Sequence, residues 1–150
     1  IKRKKKIFMI GNGGSSSAPS HSSGDFSKEL GARTICLSDN IAALTAWAND
    51  TDYGNVFKGP LESMLDAGDV VIGYSGSGNS ENVLNALEFA NENKCHTVGI
   101  TGNYAGKGGG RIVEIAKISL VVKTESMERI EDMEVIINHI IKESIKLDIL

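Results

Sequence analysis

Asp69-Val70-Val71-Ile72-Gly73-Tyr74, running into Ser75-Gly76-Ser77-Gly78-Asn79-Ser80, is the stretch that decides the fold. Its apolar run is continuous but short, and it is preceded by the breaker Ala67-Gly68. Such a run reads as a strand buried on both faces. After the loop of small residues, Val83, Leu84, Leu87 and Ala90 recur at helical spacing. The unit is therefore strand, Ser/Gly loop, helix.

The same unit occurs upstream, where Ile7-Phe8-Met9-Ile10 ends in Gly11-Asn12-Gly13-Gly14-Ser15. Further strands are expected at Thr34-Ile35-Cys36-Leu37, from His96 to Thr101 and from Ile118 to Val122. Helices are expected from Ile41 to Asn49, over roughly Tyr53 to Leu65, and from about Ser126 to the end. Gly106 to Gly110 reads as a flexible connection. Buried strands alternating with helices predict a parallel sheet covered on both faces. With no linker, low-complexity tract or long repeat, residues 1–150 read as a single three-layer α/β domain.

Composition agrees. The 150 residues are 41% hydrophobic, which is enough for one core, so disorder is not expected. No apolar run approaches the ~20 residues of a membrane span. Cys36 and Cys95 lack a CxxC spacing and read as buried free thiols of an intracellular protein. Five of the 16 basic residues are Lys2, Arg3, Lys4, Lys5 and Lys6, so the body of the chain is acidic. The basic run leads directly into the first strand and reads as its solvated approach. An acidic body argues against nucleic-acid binding. No secretory or transit segment is visible, which predicts a cytoplasmic protein.

In open α/β sheets, ligands bind beyond the carboxyl ends of the strands, where helix N-termini offer unpaired N–H groups to anions. Ser75, Ser77 and Ser80 therefore read as a phosphate cradle, with Asn12 to Ser15 as its second wall. A P-loop would need Gly-Lys-Ser/Thr, which neither loop has. The dinucleotide fingerprint fails as well, because Ser16 stands where a third glycine belongs. His21 and Asp25, four apart, share a face on a helix and suit a metal or acid/base pair. His139, among Ile136, Ile137, Ile140 and Ile141, reads as a core histidine. Glu131 lies eight residues before it, ~12 Å along a helix, so spacing alone does not pair the two. His96 reads as structural.

Gly11-Asn12-Gly13-Gly14-Ser15, His21 and Ser75-Gly76-Ser77-Gly78-Asn79-Ser80 together resemble the sugar isomerase (SIS) domain. Ala48-Asn49-Asp50, Gly68-Asp69-Val70-Val71 and Arg129-Ile130 are similar to the phosphoheptose isomerase branch. The resemblance runs from about Ile7 to Ile145. It implies a five-stranded parallel sheet flanked by helices, assembled as a homotetramer with sites at subunit interfaces. Family members usually carry helical residues ahead of the first strand, and this chain is expected to lack them.

The resemblance places a sugar phosphate's phosphate on Ser75, Gly76, Ser77 and Ser80. Asn12, Gly13, Gly14 and Ser15 would line the sugar, with Asn49 and Asp50 near its hydroxyls. The family's zinc ligands fall on His21, Asp25, Glu131 and His139. Asp25 replaces the family's Glu, Glu131 its Gln, and Gly76 a Thr. The implied activity is aldose–ketose isomerisation of a heptose phosphate through a cis-enediol, with Asp25 as base and His139 as complementary acid. The alternative is a non-catalytic SIS module that binds a sugar phosphate or a partner protein, like relatives that associate with the replication initiator DnaA. A nucleotide-binding Rossmann domain is the third reading.

Overall fold

β1 (Lys6–Gly11) sits one strand in from the edge of a five-stranded, wholly parallel sheet. The computed structural model describes residues 4–149, so Lys2 and Arg3 of the basic run lie outside the described residues. β2 (Arg33–Cys36), β1, β3 (Val70–Ser75), β4 (His96–Gly102) and β5 (Ile118–Val122) lie side by side in that order. The predicted fold class and all five strands are present. At their start, β1 and β3 are tied by the buried Asp69, whose carboxylate accepts from the Lys6 and Asp66 amides at 2.9 Å each. Lys6 Nζ adds an ion pair to Asp69 at 3.1 Å. The end of the basic run thus serves the sheet.

Alternation along the strands sorts the core into two layers. Phe8, Ile10 and Val71 face one side, covered by α2 (Ile41–Asp50), α3 (Lys58–Met64), α4 (Glu81–Glu92) and α5 (Ile112–Ile115). Met9, Ile72, Tyr74 and Ile100 face the other, covered by α1 (Gly14–Leu30) and α6 (Met127–Ile149). Gly73 and Gly99 have no side chain on the α4–α5 face, where a Cβ would press on Val83 of α4 and Ile112 of α5. Their absence lets both helices lie close against the sheet. Ile112 is fully buried there, and Ile112→Val should cost about 1 kcal/mol, read as a lower denaturation midpoint at unchanged slope.

Two local expectations need correction. The helix expected over Tyr53 to Leu65 is a 3₁₀ turn at Tyr53–Asn55 followed by α3, because the Asp52 side chain accepts from the Gly54 amide and caps a separate turn. The glycine-rich stretch at 106–110 is packed as well as a connection. The Gly109 carbonyl accepts from Thr101 Oγ1 at 3.0 Å, and the Ile112 amide donates to the Gly78 carbonyl at 2.9 Å. Among the described residues, no helix is long and apolar enough to cross a membrane.

Candidate active site

From β1 the chain moves outward to β2, then crosses back to β3 and proceeds outward on the other side. The crossovers diverge between β1 and β3, whose ends Gly11 and Tyr74 are register partners. That divergence opens the crevice where ligands of such sheets bind. A pocket of about 240 Å³ occupies it, and its lining includes Asn12, Gly13, Gly14, Ser15, Ser75, Gly76, Ser77, Ser80 and Glu131. Both Ser/Gly loops therefore converge on one cavity, as their positions at strand ends require.

One wall is the N-terminus of α1, where Gly13 (φ 56) turns the chain and Gly14 leaves room for the Glu131 carboxylate. The other is the loop into α4. Ser75 Oγ and Ser80 Oγ lie 2.9 Å apart, and the Gly78 amide donates to the Ser75 carbonyl at 2.9 Å. A Cβ on Gly76 would overlap the Met127 sulfur, so Met127 fills the space beside this glycine. Behind the loops, the Asn12 and Asn82 side chains exchange two hydrogen bonds of 2.8 Å, and the Tyr53 hydroxyl donates to Asn12 Oδ1 at 3.0 Å.

Farther along the seam between α1 and α6 lies a second constellation. His21 Nε2 and His139 Nε2 are 3.1 Å apart, and Asp25 Oδ2 lies 3.6 and 3.7 Å from them. His139 is half-exposed rather than a core residue, because α6 turns it toward α1 and His21. Ligand atoms ~2.0–2.1 Å from a tetrahedral zinc stand about 3.3 Å apart, so this triangle has the dimensions of one face of such a site. Asp25 is held by Lys142, whose Nζ lies 3.3 Å from Oδ2 and 2.9 Å from Glu29 Oε1. Glu29, and with it Asp25, raises the Lys142 ammonium above its ordinary value, while Lys142 lowers Glu29.

Glu131 does not join this group. Its carboxylate lies over Gly14 in the pocket, while His21, Asp25 and His139 form the cluster by themselves. Eight helical residues separate it from His139 by ~12 Å along the axis, and its side chain leans onto the α1 N-terminus instead. Asn49 and Asp50 are not brought to the pocket within one chain. Asn49 donates to Asp50 at 2.9 Å on α2, which buries none of its residues, and Asp50 lines a shallow cleft with Trp47. His96 is exposed at the start of β4, away from both sites.

The sequence reading missed Tyr74, Met127 and Glu134. Tyr74 is fully buried and donates to Asn138 Oδ1 at 2.8 Å. Glu134 is fully buried, and its Oε1 lies 2.9 Å from Ser15 Oγ in the pocket wall. Periodicity contained the signal for it. Ile130, Glu134, Ile137 and Ile141 recur at core spacing, so an acid occupies an inward position.

Comparison with known proteins agrees with this geometry. Residues 1–102 match the model of the SIS domain family. A phosphoheptose isomerase from Nitratiruptor sp. is 40% identical over 94% of this chain and 76% of that protein. One from Helicobacter pylori is 34% identical over 97% and 77%. The structure of the phosphoheptose isomerase GmhA from Neisseria gonorrhoeae superposes with a TM-score of 0.85 at 30% identity, covering 96% of this chain and 77% of that one. Paired Ser/Gly loops at the switch point and a histidine–aspartate cluster on the flanking helices thus stand on a fold and sequence shared with these enzymes, and the chain belongs to the phosphoheptose isomerase family of SIS-domain proteins.

Proposed function

We propose that the chain is an aldose–ketose isomerase of heptose phosphates, converting sedoheptulose 7-phosphate to D-glycero-D-manno-heptose 7-phosphate. One observation carries this reading: a Ser/Gly-lined pocket of about 240 Å³ and a His–Asp–His cluster suited to acid/base work lie on the same α1–α6 seam. His21 follows Ser15 by six helical residues, ~9 Å along the axis. An extended seven-carbon sugar phosphate spans such a separation, its phosphate among Ser75, Ser77 and Ser80 and its C1–C2 end at Asp25.

In the ketose-to-aldose direction the Asp25 carboxylate takes a proton from C1 while the His139 imidazole gives one to O2, leaving a cis-enediol. Asp25 then returns its proton to C2 as His139 recovers one from O1, so the protons balance. Zinc held by His21, Asp25 and His139 would supply Lewis-acid polarisation of the carbonyl. Lys142 anchors the Asp25 carboxylate throughout. Glu131 belongs to the sugar end of the pocket in this reading. A non-catalytic binding module would have no use for the three-residue cluster.

A homotetramer fits the surface. Ile41 on α2, Ile136 and Ile140 on α6, and Ile118 on β5 are large apolar side chains exposed on a single chain. Asn49 and Asp50 on α2 would then meet the sugar bound by a neighbouring copy. A cytoplasmic location suits the acidic body and the two free cysteines, Cys36 and Cys95.

The test is conversion of sedoheptulose 7-phosphate to the aldose with added zinc, alongside titration of zinc into apoprotein. Turnover with one zinc per chain is expected. His21→Ala should weaken zinc binding at least tenfold in the titration. A folded protein that binds the sugar phosphate but never isomerises it, with or without zinc, would sink the reading.

A further inference from the structure

The buried face of α6 carries three polar side chains at successive i, i+4 positions: Glu134, Asn138 and Lys142. Asn138 accepts from Tyr74, and Lys142 bridges Asp25 and Glu29. Glu134 has no part in the mechanism above. It is 0% exposed, its Oε1 lies 2.9 Å from Ser15 Oγ, and its Oε2 is buried without a partner. Ser15 stands in the wall of the phosphosugar pocket. A charged carboxylate with one hydrogen bond and no counter-ion is costly to bury.

The groups that face Glu134 are the Ser15 hydroxyl from α1, the neutral phenol of Tyr74 from β3, and the carboxylate of Glu131 on its own helix. None supplies positive charge. Burial pushes the Glu134 carboxyl up to about 8; the Ser15 hydrogen bond opposes this and the Glu131 charge adds to it.

We propose that Glu134 is a positioning residue which, as a neutral carboxylic acid, turns the Ser15 hydroxyl into the pocket as a hydrogen-bond donor to the bound sugar phosphate. The proposal rests on the phosphosugar reading of the pocket. A neutral carboxyl has one O–H and one C=O to place, and only Oε1 has a partner. An orphaned O–H is less tolerable than an orphaned carbonyl, so the proton sits on Oε1 and donates to Ser15 Oγ. The serine's own hydrogen is then free for the ligand. Ionised, Glu134 would take that hydrogen, and the pocket would offer serine lone pairs plus a second carboxylate beside Glu131. Both repel a phosphorylated sugar.

The test compares wild type, Glu134→Gln, Glu134→Leu and Ser15→Ala on sedoheptulose 7-phosphate above pH 7, where the phosphate is fully charged. Wild-type KM should rise roughly tenfold as pH passes about 8 while kcat changes little. Glutamine, whose amide donates to Ser15 in the same place, should keep the low KM and lose the pH step. Leucine should raise KM roughly tenfold at every pH, and a Ser15→Ala background should erase all these differences. A KM step that survives in Glu134→Gln would overturn the proposal, as would a glutamine variant as impaired as the leucine one.

Infrared spectra of the ligand-free protein separate the two readings. A neutral-carboxyl C=O band that is missing in Glu134→Gln and titrates near pH 8 would support the proton on Glu134 even if turnover were never seen. Its absence at pH 7 would overturn the proposal even in an active enzyme.

Discussion

Asp25→Asn should lower kcat on sedoheptulose 7-phosphate by about 10²–10⁴-fold, the range of a lost general base. The substitution keeps the side chain's size, so the seam between α1 and α6 should stay closed. Lys142 loses one acceptor charge but retains Glu29 at 2.9 Å. Ser15, in the pocket wall, lies ten helical residues before Asp25, ~15 Å along α1, so KM should move only a few-fold. Circular dichroism and inorganic phosphate binding should match wild type. Asp25→Glu restores the carboxylate at the length usual in the family and should keep turnover well above the Asn variant. An Asn variant within tenfold of wild-type kcat would remove Asp25 from the proton transfer.

The strands were legible because their apolar runs lie between breakers, most plainly in β1 and β3, whose residues from Phe8 to Gly11 and from Val71 to Ser75 are buried. The convergence of the two Ser/Gly loops on one pocket was legible for a related reason. Gly11–Ser15 and Ser75–Ser80 each follow a strand, and only strand ends at a switch point converge. α1 was much harder to see. Ser15, Ser16, Ser17, Pro19, Ser22, Ser23 and Gly24 form a poor helix by propensity. What sustains it is tertiary: Ser15, Ala18, Pro19 and Ser22 are buried, and their small side chains let α1 lie close to the sheet and α6. Pairing His21 with His139 was beyond spacing, since 118 residues separate them and only the α1–α6 packing brings the rings within 5.3 Å. Glu131 was harder to assign, because the resemblance offers it to both the pocket and the metal, and an ~12 Å helical rise from His139 leaves its carboxylate over Gly14 at the pocket end of the seam. Glu134 carried a signal, an acid at a core position, but its partner Ser15 lies 119 residues away.

Gly78→Ala should raise KM for the sugar phosphate by about 10²-fold, the scale of an ~1 Å displacement in a binding constellation, with much less effect on kcat. Gly78 has φ 65, and an added Cβ there would overlap the Gly109 carbonyl oxygen. Two costs are therefore combined, the left-handed conformation at about 1–3 kcal/mol and a collision with backbone that no rotamer relieves. The glycine-rich segment cannot simply retreat, because Thr101 Oγ1 donates to the Gly109 carbonyl and the Arg111 amide donates to Asn79 Oδ1 at 3.1 Å. The loop carrying Ser75, Ser77 and Ser80 must move instead. Gly108→Ala separates the two costs. Gly108 also has positive φ, 62, but a Cβ there would meet nothing within 4 Å. It should lose stability without changing KM. If Gly78→Ala binds the sugar phosphate as Gly108→Ala does, the phosphate does not sit on this loop. The acid/base cluster would then be working on a substrate anchored elsewhere.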